Sequence, residues 1–243
     1  MVTAIAGAGT GEQQWLGWPA PAGWPALDPA GLSAAAPPLV VAPHPDDEIL
    51  GVGGLIALLG TAEVLAVTDG EASHPGSTVH TPPALAGIRR QETTRALARL
   101  GLHRPTVHRL AHPDGGIDES ALTGQIAAHL TPGRLCLATW RGDGHPDHEA
   151  VGRAAAAACA DSGAVLLEYP IWTWHWAVPG DDRVPWHRAR RVDLPPAVRA
   201  AKAAAVAEFR SQITALGPEP ADAPVLPAHV LARFARPFEV VLG

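Results

Sequence analysis

The sequence has one lysine, one tyrosine and two cysteines in 243 residues, and each scarcity removes a class of protein. Cys136 and Cys159 form neither a CxxC pair nor a disulfide framework, so the chain is expected in a reducing compartment. With Lys202 the lone lysine, no run of arginine beside it and a formal net charge of -6, there is no basic track for a phosphate backbone. Nucleic acid is therefore not the expected partner. No stretch reaches the roughly 18 apolar residues that a membrane span needs. The opening MVTAIAGAGT lacks the basic start and apolar centre of a secretory leader. These absences lead to the expectation of a cytoplasmic protein without membrane insertion.

What is present suits one large domain. A 47% hydrophobic and 17% charged composition can bury a full core. Residues 1–37 are rich in Pro, Gly and Ala, with Trp15, Trp18 and Trp24 spaced among Pro19, Pro21, Pro25 and Pro29. The prolines exclude a long helix. The segment reads as an irregular arm whose tryptophans pack on the domain or on a neighbouring subunit, which leaves a homo-oligomer open. From residue 38 to 243 a single α/β domain is expected. Short apolar strands at 39–41, 64–67, 107–110, 135–139 and 165–167 alternate with helical patterns at 47–59, 84–100, 119–130 and 149–160. That alternation predicts a Rossmann-like three-layer fold, a mostly parallel sheet with helices on both faces. Residues 170–195 lose regularity and hold Trp172, Trp174, Trp176 and Trp186; a last helix is expected over 196–212.

In such sheets functional groups gather where strands end. The first strand runs into Pro43-His44-Pro45-Asp46-Asp47-Glu48. Pro45 stiffens the turn, and His44 and Asp47, three apart, can converge on one ion while Asp46 stays free to act as a base. The fourth strand runs into Gly142-Asp143-Gly144-His145-Pro146-Asp147-His148-Glu149, where His148 can supply a third ligand. Two His and one carboxylate with an open fourth position suit a catalytic zinc ion. Glu48 is expected to support the ligands rather than to be one.

The two motifs, in this order and about 100 residues apart, resemble the PIG-L/LmbE family of zinc-dependent N-deacetylases. The resemblance covers roughly residues 38–212. It implies hydrolysis of an acyl amide on an amino-sugar conjugate of the N-acetylglucosamine type, with Zn2+, or Fe2+ in its place, as cofactor. A thiol-conjugate amidase, a natural-product deacylase and a non-catalytic metal- or sugar-binding protein are the alternatives on the same scaffold. By resemblance His44, Asp47 and His148 are metal ligands and Asp46 is the general base. His145 stabilises the oxyanion or protonates the amine, and Asp147 orients it. Arg89 of Arg-x-x-Glu and Asp114 of Pro-Asp-Gly-Gly contact substrate. One departure stands out: where some sugar deacetylases of the family place a tyrosine two residues before His-Pro-Asp-His, this chain has Asp143, and its one tyrosine is Tyr169.

Other histidines read differently. His74-Pro75 lacks a following carboxylate pair, and His112 is expected beside the crevice or exposed, with Asp114 the functional member. His80, His103, His108 and His129 are expected at the surface. Gly51-Val52-Gly53-Gly54 lies inside the first long helix; it is read as close helix packing, not as a dinucleotide fingerprint.

Overall fold

The computed structural model describes residues 7–32, 36–102 and 105–243; His103 and parts of the N-terminal arm lie outside them. After α1 (Glu12–Leu16) come β1 (Leu39–Ala42), α2 (Asp47–Leu59), β2 (Glu63–Ala66), α3 (Pro82–Arg99) and β3 (Thr106–Arg109). There follow α4 (Glu119–Ala127), β4 (Leu135–Thr139), α5 (Pro146–Ser162), β5 (Val165–Tyr169) and the one-turn α6 (Thr173–Trp176). The chain then forms β6 (Ala189–Asp193), α7 (Pro196–Val206), α8 (Arg210–Ile213), α9 (Ala228–Leu231) and β7 (Phe238–Leu242).

The strands form one sheet in the order β3-β2-β1-β4-β5-β7-β6. The first five are parallel, and β7 runs antiparallel to both β5 and β6. Alternate residues of the central strands feed two cores, as the two-residue period of a strand requires. Val40, Val64 and Leu137 join the helix layer of α2, α3 and α7, whereas Leu39, Val41, Leu65 and Ala138 meet α4 and α5. Between β1 and β4 the winding direction reverses, which opens a crevice at their carboxyl ends.

Two elements depart from the expectation. The irregular 170–195 segment contains β6, and its strand is visible only through its partner: Arg190, Val192 and their neighbours pair with β7. The helix expected over 196–212 stops at Val206 and restarts at Arg210. The break sinks Phe209 into the core at 1% exposure and turns Ser211 toward Glu92, which accepts its N–H and hydroxyl at 2.8 and 2.7 Å.

The arm packs on its own chain. Trp15 sits edge-on to Trp174 at 5.0 Å and donates its indole N–H to the Trp174 carbonyl at 2.9 Å, while Trp24 stacks on Trp186 at 5.5 Å. No helix among the described residues is long and apolar enough to cross a membrane.

Candidate metal centre and active site

Because β1 and β4 are neighbours, the two motifs that follow them meet although far apart in sequence. His44, Asp47 and His148 offer ligand atoms that all lie within 4.8 Å of one another. Asp47 Oδ2 stands 3.3 Å from both His44 Nδ1 and His148 Nε2 and also accepts the His44 backbone N–H at 3.0 Å. All three residues are buried or nearly so, and His148 Nε2 is a buried ring nitrogen without a hydrogen-bond partner. An ion among these atoms removes that deficit, so the donor set fits a divalent metal.

The charges agree. Burial opposes protonation of His44, yet Asp114, Asp147 and Asp47 hold its imidazole well above the ordinary value. His148 is likewise held up to about 9 against burial, chiefly by Asp47 and Asp143. Burial would raise the Asp47 carboxyl, but His148 and His44 hold it well below the usual range. The pocket thus favours positive charge at this spot, the same preference that draws in a cation.

Asp46 occupies the turn between His44 and Asp47. Its backbone is at φ 144°, ψ -31°, a region that costs a non-glycine residue free energy and persists only where neighbours enforce it. Two neighbours do so. Glu48 Oε2 accepts the Asp46 N–H at 3.1 Å, and Arg89 donates to Asp46 Oδ2 at 3.0 Å and to the carbonyls of Pro45 and Gly70, each at 2.8 Å. Gly70, at φ +66°, allows this: a Cβ there would fall 1.9 Å from Arg89 Nη1. Burial pushes the Asp46 carboxyl up to about 7, with Arg89 opposing and Asp47 adding to the rise. Burial and the Asp46 charge push Glu48 up to about 8, so it stands beside Asp46 as a neutral carboxyl near neutrality.

His145 caps α5: its Nδ1 accepts the Asp147 N–H at 3.2 Å. Its proton therefore resides on Nε2, and burial, reinforced by His148 and His44, lowers its pKa to about 4. Asp147 reaches His145 through that backbone N–H. Its carboxylate turns to His44 Nε2 at 3.1 Å and the Gly115 N–H at 2.8 Å. Asp114 stands 3.3 Å from His44 Nε2 and accepts the Ala72 N–H at 2.9 Å. His112 points away, its Nε2 2.8 Å from Gln125, and His74 Nδ1 lies 3.0 Å from the Ser73 hydroxyl.

Residues 39–159, which include both motifs, match the family described as PIG-L, GlcNAc-PI de-N-acetylase. The chain belongs to the PIG-L family. None of the curated proteins matches the sequence. Among solved structures, this PIG-L chain is similar to the A40926 pseudoaglycone deacetylase Dbv21, with 21% identity and a TM-score of 0.59 over 86% of this chain and 97% of that one. It is similar to the N,N'-diacetylchitobiose deacetylase of Pyrococcus horikoshii at 22% identity and TM-score 0.57, over 72% and 70% of the two chains. It is also similar to GalB, the 4-carboxy-2-hydroxymuconate hydratase of Pseudomonas putida KT2440, at 18% identity and TM-score 0.54 over 82% of each chain. At these identities the likeness speaks for the fold, and the hydratase shows that the fold hosts more than one reaction.

Three features of this PIG-L site escape the motifs. Asp143, at the position of the absent tyrosine, is fully buried and accepts five hydrogen bonds. They come from the N–H groups of Ile171, Trp172 and Thr173, each at 2.9 Å, from the Thr173 hydroxyl at 2.5 Å and from His148 Nδ1 at 2.8 Å. Tyr169 supplies no substitute, being buried with its hydroxyl donating to the Val41 carbonyl at 3.0 Å. Finally, residues beyond the matched stretch wall the cleft, a cavity of about 380 Å³. Ile171, Trp172, Val225 and Leu226 give its lining apolar groups, and Ser73, Asp114 and Gln212 give it polar ones.

Proposed function

We propose that this PIG-L protein hydrolyses the amide of an N-acylated amino sugar, using a divalent ion held by His44, Asp47 and His148. Zinc suits two imidazoles and one carboxylate, with Fe2+ as the alternative ion. The observation that carries the reading is the convergence of these three side chains, with His148 Nε2 otherwise unpartnered, on the floor of an open cleft. When bound, such an ion polarises the acyl carbonyl and acidifies a water molecule.

The chain's own residues do the rest. Asp46, clamped by Arg89 on the cleft floor, takes the proton of the attacking water and passes it to the leaving nitrogen. The neutral His145 presents its Nε2–H to the oxyanion. This narrows the part played by His145: with Nδ1 already accepting a backbone N–H, it acts as a hydrogen-bond donor, and the proton for the amine comes through Asp46. The bond from water oxygen to carbonyl carbon forms, the carbon–nitrogen bond breaks, and an amine and a carboxylate leave.

The apolar part of the lining favours a sugar that carries an apolar group, as a natural-product deacylase would take, over the free monosaccharide. A pure ion-binding site would need neither a strained Asp46 backbone nor a buried guanidinium to hold it, so a non-catalytic binder is the weaker reading. The test is amine release by metal-loaded protein from N-acetylglucosamine, its octyl and aryl glycosides, and N-acetyl thiol conjugates. Turnover greatest on the apolar glycosides, with a raised KM in Trp172→Ala, is expected. Metal-loaded protein that releases no amine from any of them contradicts the assignment.

A further inference from the structure

We infer that Glu63, His108 and His129 form a second divalent-cation site, at the opposite end of the sheet from the catalytic cleft. The three offer ligand atoms within 4.8 Å of one another. Both imidazoles converge on a single oxygen: Glu63 Oε1 lies 2.8 Å from His108 Nε2 and 3.0 Å from His129 Nδ1. The rings are tilted at 57° with centroids 4.5 Å apart.

The fold fixes this arrangement. Glu63 opens β2, and His108 pairs with Leu65 across the parallel ladder, so His108 shares a face with Leu65 and, two residues earlier, with Glu63. Leu65 belongs to the core in which Leu122 and Ile126 of α4 are buried. His129 follows Ile126 by one helical turn and is thereby delivered over the same face. The ligands thus stand on two strands and a helix end, which a preformed site requires.

Arg134 completes it. Its guanidinium donates to Glu63 Oε2 at 2.6 Å and is anchored by the carbonyls of Pro37 and His129. One carboxylate oxygen is thereby occupied and the other is left aimed at the two rings. Outer partners that orient a ligating carboxylate in this way are a regular part of metal sites. Two imidazoles and one carboxylate oxygen suit Zn2+ or a neighbouring borderline cation. With His108 40% exposed at its side chain, a fourth position stays open to water. Occupation would tie the edge strand β3 to β2 and to the end of α4.

The test strips the full chain with chelator and titrates it with Zn2+, reading bound equivalents by calorimetry and by metal analysis after gel filtration. A His108→Gln/His129→Gln variant is run alongside. Wild type is expected to take up one equivalent more than the variant. Because the substitutions leave His44, Asp47 and His148 untouched, any hydrolysis per catalytic equivalent should stay at the wild-type level. His108→Gln alone, at an exposed side chain, gives the same comparison with the least disturbance to the fold. Equal uptake by wild type and either folded variant overturns the site, and it does so without bearing on the catalytic assignment.

Discussion

In the proposed function Asp143 and Arg89 each act through another residue, His148 and Asp46, and each makes a separable prediction. Asp143 holds His148 Nδ1 while three backbone N–H groups and the Thr173 hydroxyl hold Asp143. In Asp143→Asn the amide group can donate where the carboxylate accepted, and the imidazole loses its fixed orientation. Metal affinity at the catalytic centre should fall roughly 10–100-fold, measured by competition with a chromophoric chelator; unchanged affinity would contradict this role. Arg89 lines the cleft, but the hydrogen bonds it donates go to Gly70, Pro45 and Asp46. Arg89→Lys should therefore lower kcat with KM little changed, because it loosens the base and not the substrate. A rise in KM alone would instead return Arg89 to substrate contact, as the Arg-x-x-Glu resemblance implies. Neither role can be read locally. Asp143 is recognised only when residues 171–173 are seen folded over it, and Arg89 only when Gly70 lies beneath it.

At the level of elements, α2 explains the lone lysine. The Gly51–Gly54 stretch contains a kink at Val52, φ -135° and ψ 17°, which interrupts the helical hydrogen bonds on both sides. Lys202 of α7 donates to the stranded Leu50 carbonyl at 2.8 Å, and Glu239 of β7 accepts from Gly54 and Leu55 at 2.6 and 2.8 Å. Lys202 and Glu239 pair with each other at 2.6 Å. The glycines allow the close approach: a Cβ on Gly51 would fall 2.2 Å from the Tyr169 ring, and one on Gly54 2.5 Å from Leu194. Glu239→Ala leaves a buried ammonium without its counter-charge and two amides without partners, and should destabilise the fold by about 3–5 kcal/mol. Urea unfolding measures it, and a loss below about 1 kcal/mol would mean that water replaces the carboxylate. The parallel strands and long helices were legible because each carries its own periodicity. Strand β6, with arginines at 190 and 191, lacks an apolar run, and its identity comes from the ladder with β7. The break after Val206 depends in the same way on burial of Phe209 and on the distant Glu92.

For the whole molecule, the sheet order brings the two motifs together. His44 to Asp47 leave β1 and His145 to His148 follow β4, and the reversal between these two strands places both groups over one crevice. Both motifs were legible because each follows a strand directly and combines His, Pro and carboxylates. The rest of the cleft lining was not, since Gln212, Val225 and Leu226 come from a C-terminal stretch without a motif. The surface cluster of Glu63, His108 and His129 was hidden for a related reason: its members sit on three separate elements. The central claim is that a metal held by His44, Asp47 and His148 works with Asp46 as the base. Its most direct measurement is amine release from an aryl glycoside of N-acetylglucosamine by metal-stripped protein, as Zn2+ is returned. In parallel, an Asp46→Asn variant is shown to bind the same amount of metal. Release should vanish on stripping and return with the ion in the wild type, and stay roughly 100-fold or more lower in the loaded variant. Turnover that survives stripping, or a loaded Asp46→Asn protein as active as wild type, would contradict it.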